Sequence, residues 1–215
     1  MLLEVERKFC PIAGALIACN AGSPPFRRFC PRPQRIFRDI YYDQDDVLRQ
    51  AGIWVRKRDE QWEAKIKVGG DYKHSQFQEV KGISAVSAAI SKHLQDLRCR
   101  GAMRYQNRSA PFDTYNINPV AEYATIRDSW TVDDKYTIVI DTTDFGHTVG
   151  EVELEHDYPD FSQEDKKNVL LKQMDENIAS FMRHYAWAFP AGECKGKLTA
   201  FFEWKMRKVR AIKRG

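Results

Sequence analysis

The chain opens Leu2-Leu3-Glu4-Val5-Glu6-Arg7-Lys8-Phe9, and how this stretch is read decides the fold. A β-strand sends alternate side chains to opposite faces. One face then carries Glu4, Glu6 and Lys8; the other carries Leu3, Val5, Arg7 and Phe9 and is mostly apolar. A single strand of this kind is ordinarily half wet, with its charges in solvent. Here the alternation returns along the chain with both signs of charge. Trp54, Arg56 and Arg58 share a face, as do Glu63, Lys65 and Lys67, and Glu79 is in phase with Phe77 and Lys81. Tyr123, Thr125, Arg127 and Ser129 share a parity, and Glu151, Glu153 and Glu155 oppose Val152 and Leu154. One solvated face explains one such strand; five or six indicate a shared charged interior.

Working outward, the first strand gives way to a Pro- and Gly-rich excursion over 11–33, with room for a helical turn or two. Strands follow over 35–43, 53–58, 61–68 and 76–81, the second and third forming a hairpin around Asp59 and Glu60. The period then changes. Val86, Ala89, Ile90, His93, Leu94 and Leu97 fit a helix over 84–97 with Ser84 at its N-cap. After a polar linker over 101–119, strands resume at 121–132, 136–141 and 149–158. A helix over 162–188, capped by Ser162, carries the apolar stripe Val169, Leu170, Met174, Ile178, Phe181, Met182 and Tyr185. A last helix over 197–212 turns Phe201, Phe202, Met206 and Val209 inward. About eight strands joined mostly by short turns imply an antiparallel sheet. Eight such strands can close into a barrel, which removes exposed edges. The fold class expected is α+β: a closed eight-stranded antiparallel barrel with a few flanking helices.

Bulk properties narrow the setting. At 215 residues, 43% hydrophobic and 30% charged, the chain has the make-up of a soluble globular protein. The net charge of +4 does not call for nucleic acid, and the basic end, Lys205 to Arg214, reads as a solvated face and tail. Cys10, Cys19, Cys30, Cys99 and Cys194 are odd in number and include no CxxC pair. Neither a zinc site nor a disulfide framework follows, and a reduced cytoplasmic setting is expected. The apolar run 12–19 imitates a signal peptide, but Glu4 and Glu6 precede it and Gly14 interrupts it. A short helix or loop packed on the domain is expected there, and no run is long enough to cross a membrane. The histidines His74, His93, His147, His156 and His184 show no metal-ligand spacing and read as surface or packing residues.

A low-dielectric interior does not tolerate unpaired charges. If the charged faces point inward, Glu4, Glu6, Glu79, Asp141, Glu151 and Glu153 meet Lys8, Arg56, Arg58, Lys65 and Arg127. Mutual salt bridges would satisfy them but stabilise a fold poorly. A water-filled tunnel for an anionic ligand and its metal answers the problem better. Clustered carboxylates bind hard cations such as Mg²⁺ or Mn²⁺, and Arg and Lys bind phosphate oxygens. Walker, Rossmann and zincin motifs are absent.

Glu4-Val5-Glu6-Arg7-Lys8 resembles the Glu-x-Glu-x-Lys signature of the CYTH superfamily, the triphosphate tunnel metalloenzymes. The resemblance spans most of the chain and is strongest to the animal thiamine triphosphatases of that family. It runs through Arg38 to Asp43, Trp54 to Arg58, Trp62 to Lys65, Asp141 to Gly146, Gly150 to Glu153, and Lys197-Leu198. It implies a single domain over 1–215, with 197–215 as closing helix and basic tail. It further implies metal-dependent hydrolysis of thiamine triphosphate to the diphosphate and phosphate. By resemblance, Glu4, Glu6, Asp141, Glu151 and Glu153 hold Mg²⁺ or Mn²⁺, with Glu79 completing the acidic set. Lys8, Arg56, Arg58, Lys65, Arg127 and Lys197 hold the triphosphate, Trp54 packs on the thiamine, and Lys65, Glu6 and Glu153 serve catalysis. Two positions depart from the animal pattern: Val139 stands where a further Asp is found, and Phe77 where a Tyr is found.

Inorganic tripolyphosphatase, nucleoside triphosphatase and non-catalytic polyphosphate binding are the rival readings. The partner expected is a small triphosphate, without nucleic acid or membrane. A monomer is expected, since a closed barrel leaves no edge to pair.

Overall fold

The computed structural model describes residues 2–71, 73–99, 117–158, 164–192 and 194–212. Eight antiparallel strands close into a barrel: β1 (Leu2–Phe9), β2 (Cys30–Asp43), β3 (Ile53–Arg58), β4 (Gln61–Gly70), β5 (His74–Lys81), β6 (Asn118–Val132), β7 (Tyr136–Thr143) and β8 (Thr148–Asp157). Around the barrel their order is β1-β5-β4-β3-β2-β6-β7-β8. Two meanders, β2 to β5 and β6 to β8, meet where β2 pairs with β6. Their other ends are joined by β1, which pairs with β5 through Glu4↔Phe77 and with β8 through Glu6↔Glu153. The opening strand thus closes the barrel and has no bond to its successor.

Tight turns fix the registers. Asp59 and Glu60 both have positive φ, as do Asp133 and Asp134. That backbone twist matches a two-residue hairpin between right-twisted strands. The β2 strand begins at Cys30, five residues before the start expected from sequence. Pro31 and Pro33 disguise it, yet both are accommodated. Along Cys30–Ile36 the strand bonds only to β6, and its register shifts between Arg32 and Arg35. Proline is tolerated on such a one-sided stretch and at a bulge because no N–H is required of it there.

Alternation places most of the apolar core outside the barrel. Leu3, Val5, Val152, Leu154 and Ile138 face outward and are buried under α4 (Glu164–His184). The helix contributes Leu171, Met174, Ile178 and Phe181. This stripe passes through Leu171; Val169, expected to be in it, is solvent-exposed. The 3-4-3 spacing from Leu171 keeps one face toward the sheet. Arg7, the charge on the apolar face of β1, is matched by Asp175 of α4, to which it donates two hydrogen bonds of 2.9 and 2.8 Å. A second apolar cluster joins Val55, Ala64 and Ile66 to Val86 and Ile90 of α3 (Ile83–Cys99). Ser84 lies inside this helix, not at its cap. Ser162 and residues 101–116 of the expected linker lie outside the described residues, while Asn118 and Pro119 belong to β6.

The excursion after β1 holds a 3₁₀ turn (Pro11–Ala13) and the short helix α1 (Gly14–Ala18), anchored by buried Ile17. A further short helix, α2 (Val47–Gln50), fills the turn after β2, with Asp43 accepting from the backbone N–H of Leu48 and Arg49. The last helix, α5 (Lys197–Ile212), packs through Phe201 on Tyr41 and Tyr123. Its expected inward residues Met206 and Val209 are exposed, because the helix extends past the barrel wall after its first two turns. No helix among the described residues is long and apolar enough to cross a membrane.

Candidate functional site

The inward faces enclose a cavity of about 790 Å³ to which all eight strands contribute. Glu4, Glu6 and Lys8 of β1 line it together with Trp54, Arg56 and Arg58 of β3 and Lys65 of β4. Glu79 of β5, Arg127 of β6, Glu151 and Glu153 of β8, and Lys197 at the start of α5 complete the wall. The structure therefore brings together the predicted side chains, with one difference. Asp141 has no exposed surface and lies behind Arg127 and Lys197, not at the cavity face.

The charges meet in cross-strand groups. Lys65 Nζ lies 2.9 Å from Glu4 Oε1, 3.2 Å from Glu6 Oε2 and 3.2 Å from Glu79 Oε1, so one ammonium serves three carboxylates on β1 and β5. Lys8 donates to Glu6 and stands 3.6 Å from Glu151. Arg127 grips Asp141 with two bonds of 2.7 Å, and Lys197 donates to the same carboxylate. Arg58 grips Asp39 in the same bidentate way, at 2.7 Å for both bonds, while Arg56 donates to Glu63 at 2.9 and 2.7 Å. Trp54 is half-buried and meets Phe77 edge-on, with ring centres 5.5 Å apart. Val139 lines the wall opposite Glu151 in the β7–β8 register, an apolar spot in a polar surface.

Burial and crowding divide the carboxylates into two kinds. Burial holds the Glu4 carboxyl well above the ordinary carboxylate range against the pull of Lys65, and neighbouring Glu79 raises it further. Burial likewise lifts Glu153 to about 7 against Arg127, aided by Glu151. Glu6 and Glu79 go the other way. Burial opposes ionisation of both, but Lys65 and Lys8 outweigh it at Glu6, and Lys65 outweighs it at Glu79, which falls to about 2. Burial is the largest cause of both upward shifts, and close cations decide which carboxyls escape it.

Among the described residues no three carboxylates stand ready around one point, because the ammonium groups of Lys65 and Lys8 lie between them. These ammonium groups stand where a cation would neutralise the same oxygens. Glu4 Oε2 is buried, lies 2.7 Å from Lys65 Nζ as an ion pair, and makes no hydrogen bond. An all-oxygen donor set that includes a buried oxygen without a hydrogen bond fits a hard divalent cation.

Asp39 and Phe37, both buried behind the arginines, escaped the sequence reading as site residues. The parity that puts them in phase with Tyr41 was the available signal. Glu63, the partner of Arg56, was recognised only as a face-mate of Lys65.

Residues 2–184 match the family model described as the CYTH domain. The chain belongs to the CYTH family. Two curated relatives of this CYTH chain are the thiamine-triphosphatases of Homo sapiens and Macaca fascicularis. The first is 29% identical over 166 residues, covering 71% of this chain and 67% of the human protein. The second is 29% identical over 164 residues with the same coverage. Solved structures with the same barrel include a putative adenylyl cyclase from Hippeastrum, described by its dominant triphosphatase activity. It has a TM-score of 0.52 at 14% identity, over 94% of this chain and 96% of that one. A Pyrococcus horikoshii OT3 protein has a TM-score of 0.53 at 15% identity, over 94% and 99% of the two chains. The CYTH match ends before α5, which nevertheless supplies Lys197 to the cavity.

Proposed function

We propose that this CYTH protein hydrolyses a triphosphate with the help of a divalent cation, and that thiamine triphosphate is its substrate. The observation that carries the reading is the convergence of Lys8, Arg56, Arg58, Lys65, Arg127 and Lys197 on one cavity with the carboxylates Glu4, Glu6, Glu151 and Glu153. A triphosphate and its cation would satisfy both sets at once. Likeness to the thiamine-triphosphatases supports the reading.

The arginines give planar, multi-donor contacts to phosphate oxygens, and the lysines give point charges. Their donors are already fixed by carboxylates of the barrel, so charge that spreads over the transferred phosphoryl group meets preorganised dipoles. Glu4, Glu6, Glu151 and Glu153 would hold Mg²⁺ or Mn²⁺, with Asp141 behind them holding Arg127 and Lys197 in place. Such an ion neutralises phosphate charge and lowers the pKa of a bound water. Lys65, between Glu4 and Glu6, exchanges carboxylate for phosphate as ligand enters. Trp54 offers an indole face to a thiazolium, an interaction of about 0.5–2 kcal/mol.

A second reading, hydrolysis of inorganic tripolyphosphate, is favoured by one observation. Phe77, which packs against Trp54, brings no hydroxyl to an organic group. Phosphate release from thiamine triphosphate, tripolyphosphate and ATP, each with Mg²⁺ and with EDTA, separates the readings. Mg²⁺-dependent release fastest from thiamine triphosphate is expected. Fastest release from tripolyphosphate supports the second reading, and no release from any substrate sinks both.

A further inference from the structure

Strand β2 braces the cavity arginines from behind. β2 lies between β3 and β6 in the barrel, and those two strands carry Arg56, Arg58 and Arg127. The successive inward residues of β2 are Phe37, Asp39 and Tyr41. Asp39 has no exposed surface; its Oδ1 accepts from Arg58 Nε and its Oδ2 from Arg58 Nη2, both at 2.7 Å. Arg56 Nε lies 4.0 Å from Asp39 Oδ1, and the Tyr41 hydroxyl accepts from Arg56 Nη1 at 3.5 Å. The Phe37 ring, 3% exposed, has the Arg58 guanidinium carbon 3.9 Å from its centre and that of Arg127 5.4 Å from it. Arg58 is therefore held along its edge by a carboxylate and across its face by a ring. The same ring borders the arginine of the opposite neighbouring strand.

Neither Phe37 nor Asp39 lines the cavity, whereas all three arginines do. An anion in the cavity meets the guanidinium groups and not the residues behind them. A free Arg side chain gives up rotamer entropy on binding. A guanidinium already fixed by a bidentate carboxylate and a packed ring has lost most of it beforehand.

We infer that Phe37 and Asp39 are positioning residues for triphosphate binding, with Asp39 acting through Arg58 and Phe37 setting the stance of Arg58 and Arg127. This rests on the triphosphate reading above.

The test is a double-mutant cycle read as affinity for inorganic tripolyphosphate. Calorimetric titrations in EDTA and again in Mg²⁺ compare wild type, Asp39→Asn, Arg58→Ala and the double variant. Asp39→Asn is expected to weaken binding about tenfold or more. In the Arg58→Ala background the same change should alter affinity by less than about twofold, since the group it acts through is gone. Phe37→Leu keeps an apolar side chain of smaller size and runs the same cycle if Asp39→Asn does not fold; its loss of affinity should also shrink once Arg58 is removed. A loss that is equal in both backgrounds, or a lowered melting temperature with unchanged affinity, reduces the two residues to structural braces and overturns the inference. A wild-type protein that binds no tripolyphosphate overturns the triphosphate reading and this role with it.

Discussion

Lys65 of β4 reaches past β5 to Glu4 of β1, placing its ammonium 2.9 Å from Glu4 Oε1. The same ammonium touches Glu6 and Glu79. One cation thus ties three strands and stands in for the charge that a bound metal would bring.

Removing it should leave Glu4, Glu6 and Glu79 short of a counter-charge. Lys65→Met keeps the stem and deletes the charge. Loss of one partner from a buried ion group costs about 3–5 kcal/mol, which in a chain of this length lowers Tm by roughly 6–20 °C. Mg²⁺ should then raise the Tm of the variant more than that of wild type, because ligand binding to the folded state alone stabilises it. Equal Mg²⁺ responses in thermal melts of the two proteins would remove the argument that these carboxylates await a cation.

Glu6→Gln preserves size and keeps one oxygen to accept from Lys8 or Lys65, so the fold should persist with an unchanged far-UV spectrum. Mg²⁺-dependent turnover should fall by about a hundredfold or more. Wild-type rates in this variant would end the metal role assigned to Glu6.

Acid should reveal the Asp39–Arg58 pair. The Asp39 carboxyl lies below its ordinary 3.8: burial pushes it up, but Arg58 and Arg56 outweigh that. Above 3.8 both folded and unfolded chains carry the charge, and the stabilisation is complete. As pH falls below that value the unfolded chain takes a proton first, and the contribution is lost as pH passes through the lower, folded pKa. Urea midpoints of wild type and Asp39→Asn should therefore differ most near neutrality and converge toward the acid limit. A gap that widens on acidification contradicts the assignment.

Gly150 faces Phe9 across the β1–β8 pairing, and a methyl group at Gly150 would fall inside that ring. Phe9 is 2% exposed and packs edge-on against Phe189 at 5.0 Å, so it has little room to yield. Gly150→Ala should destabilise by about 1–3 kcal/mol. Because Glu151 is the next residue, activity should fall with stability. A melting temperature equal to wild type would show that Phe9 moves freely.

The strands were legible because a charge at every second position is a strong period-two signal, and β1 and β3 have the predicted limits. Long-range pairing was not. Nothing within Leu2–Phe9 says that it bonds to β5 and β8 and not to the next strand, since the partners lie far along the chain. The N-terminal half of β2 was hidden by Pro31 and Pro33, whose usual meaning fails on a one-sided stretch. The α4 stripe was misjudged by its first residues because Val169 and Leu171 are equally apolar, and only the packed sheet selects one. Among site residues, cations and glutamates on charged parities were found. Asp39 was missed because an acidic residue among aromatics gives no sign of which arginine it will meet.

Since most of the greasy layer of this protein lies between barrel wall and helical coat, the charged side chains of its hollow centre carry only part of the work of keeping the chain folded. Side chains there answer mainly to one another's charge. A lineage could exchange them in compensating pairs, altering what passes through the middle, while the outer shell goes on holding the same shape.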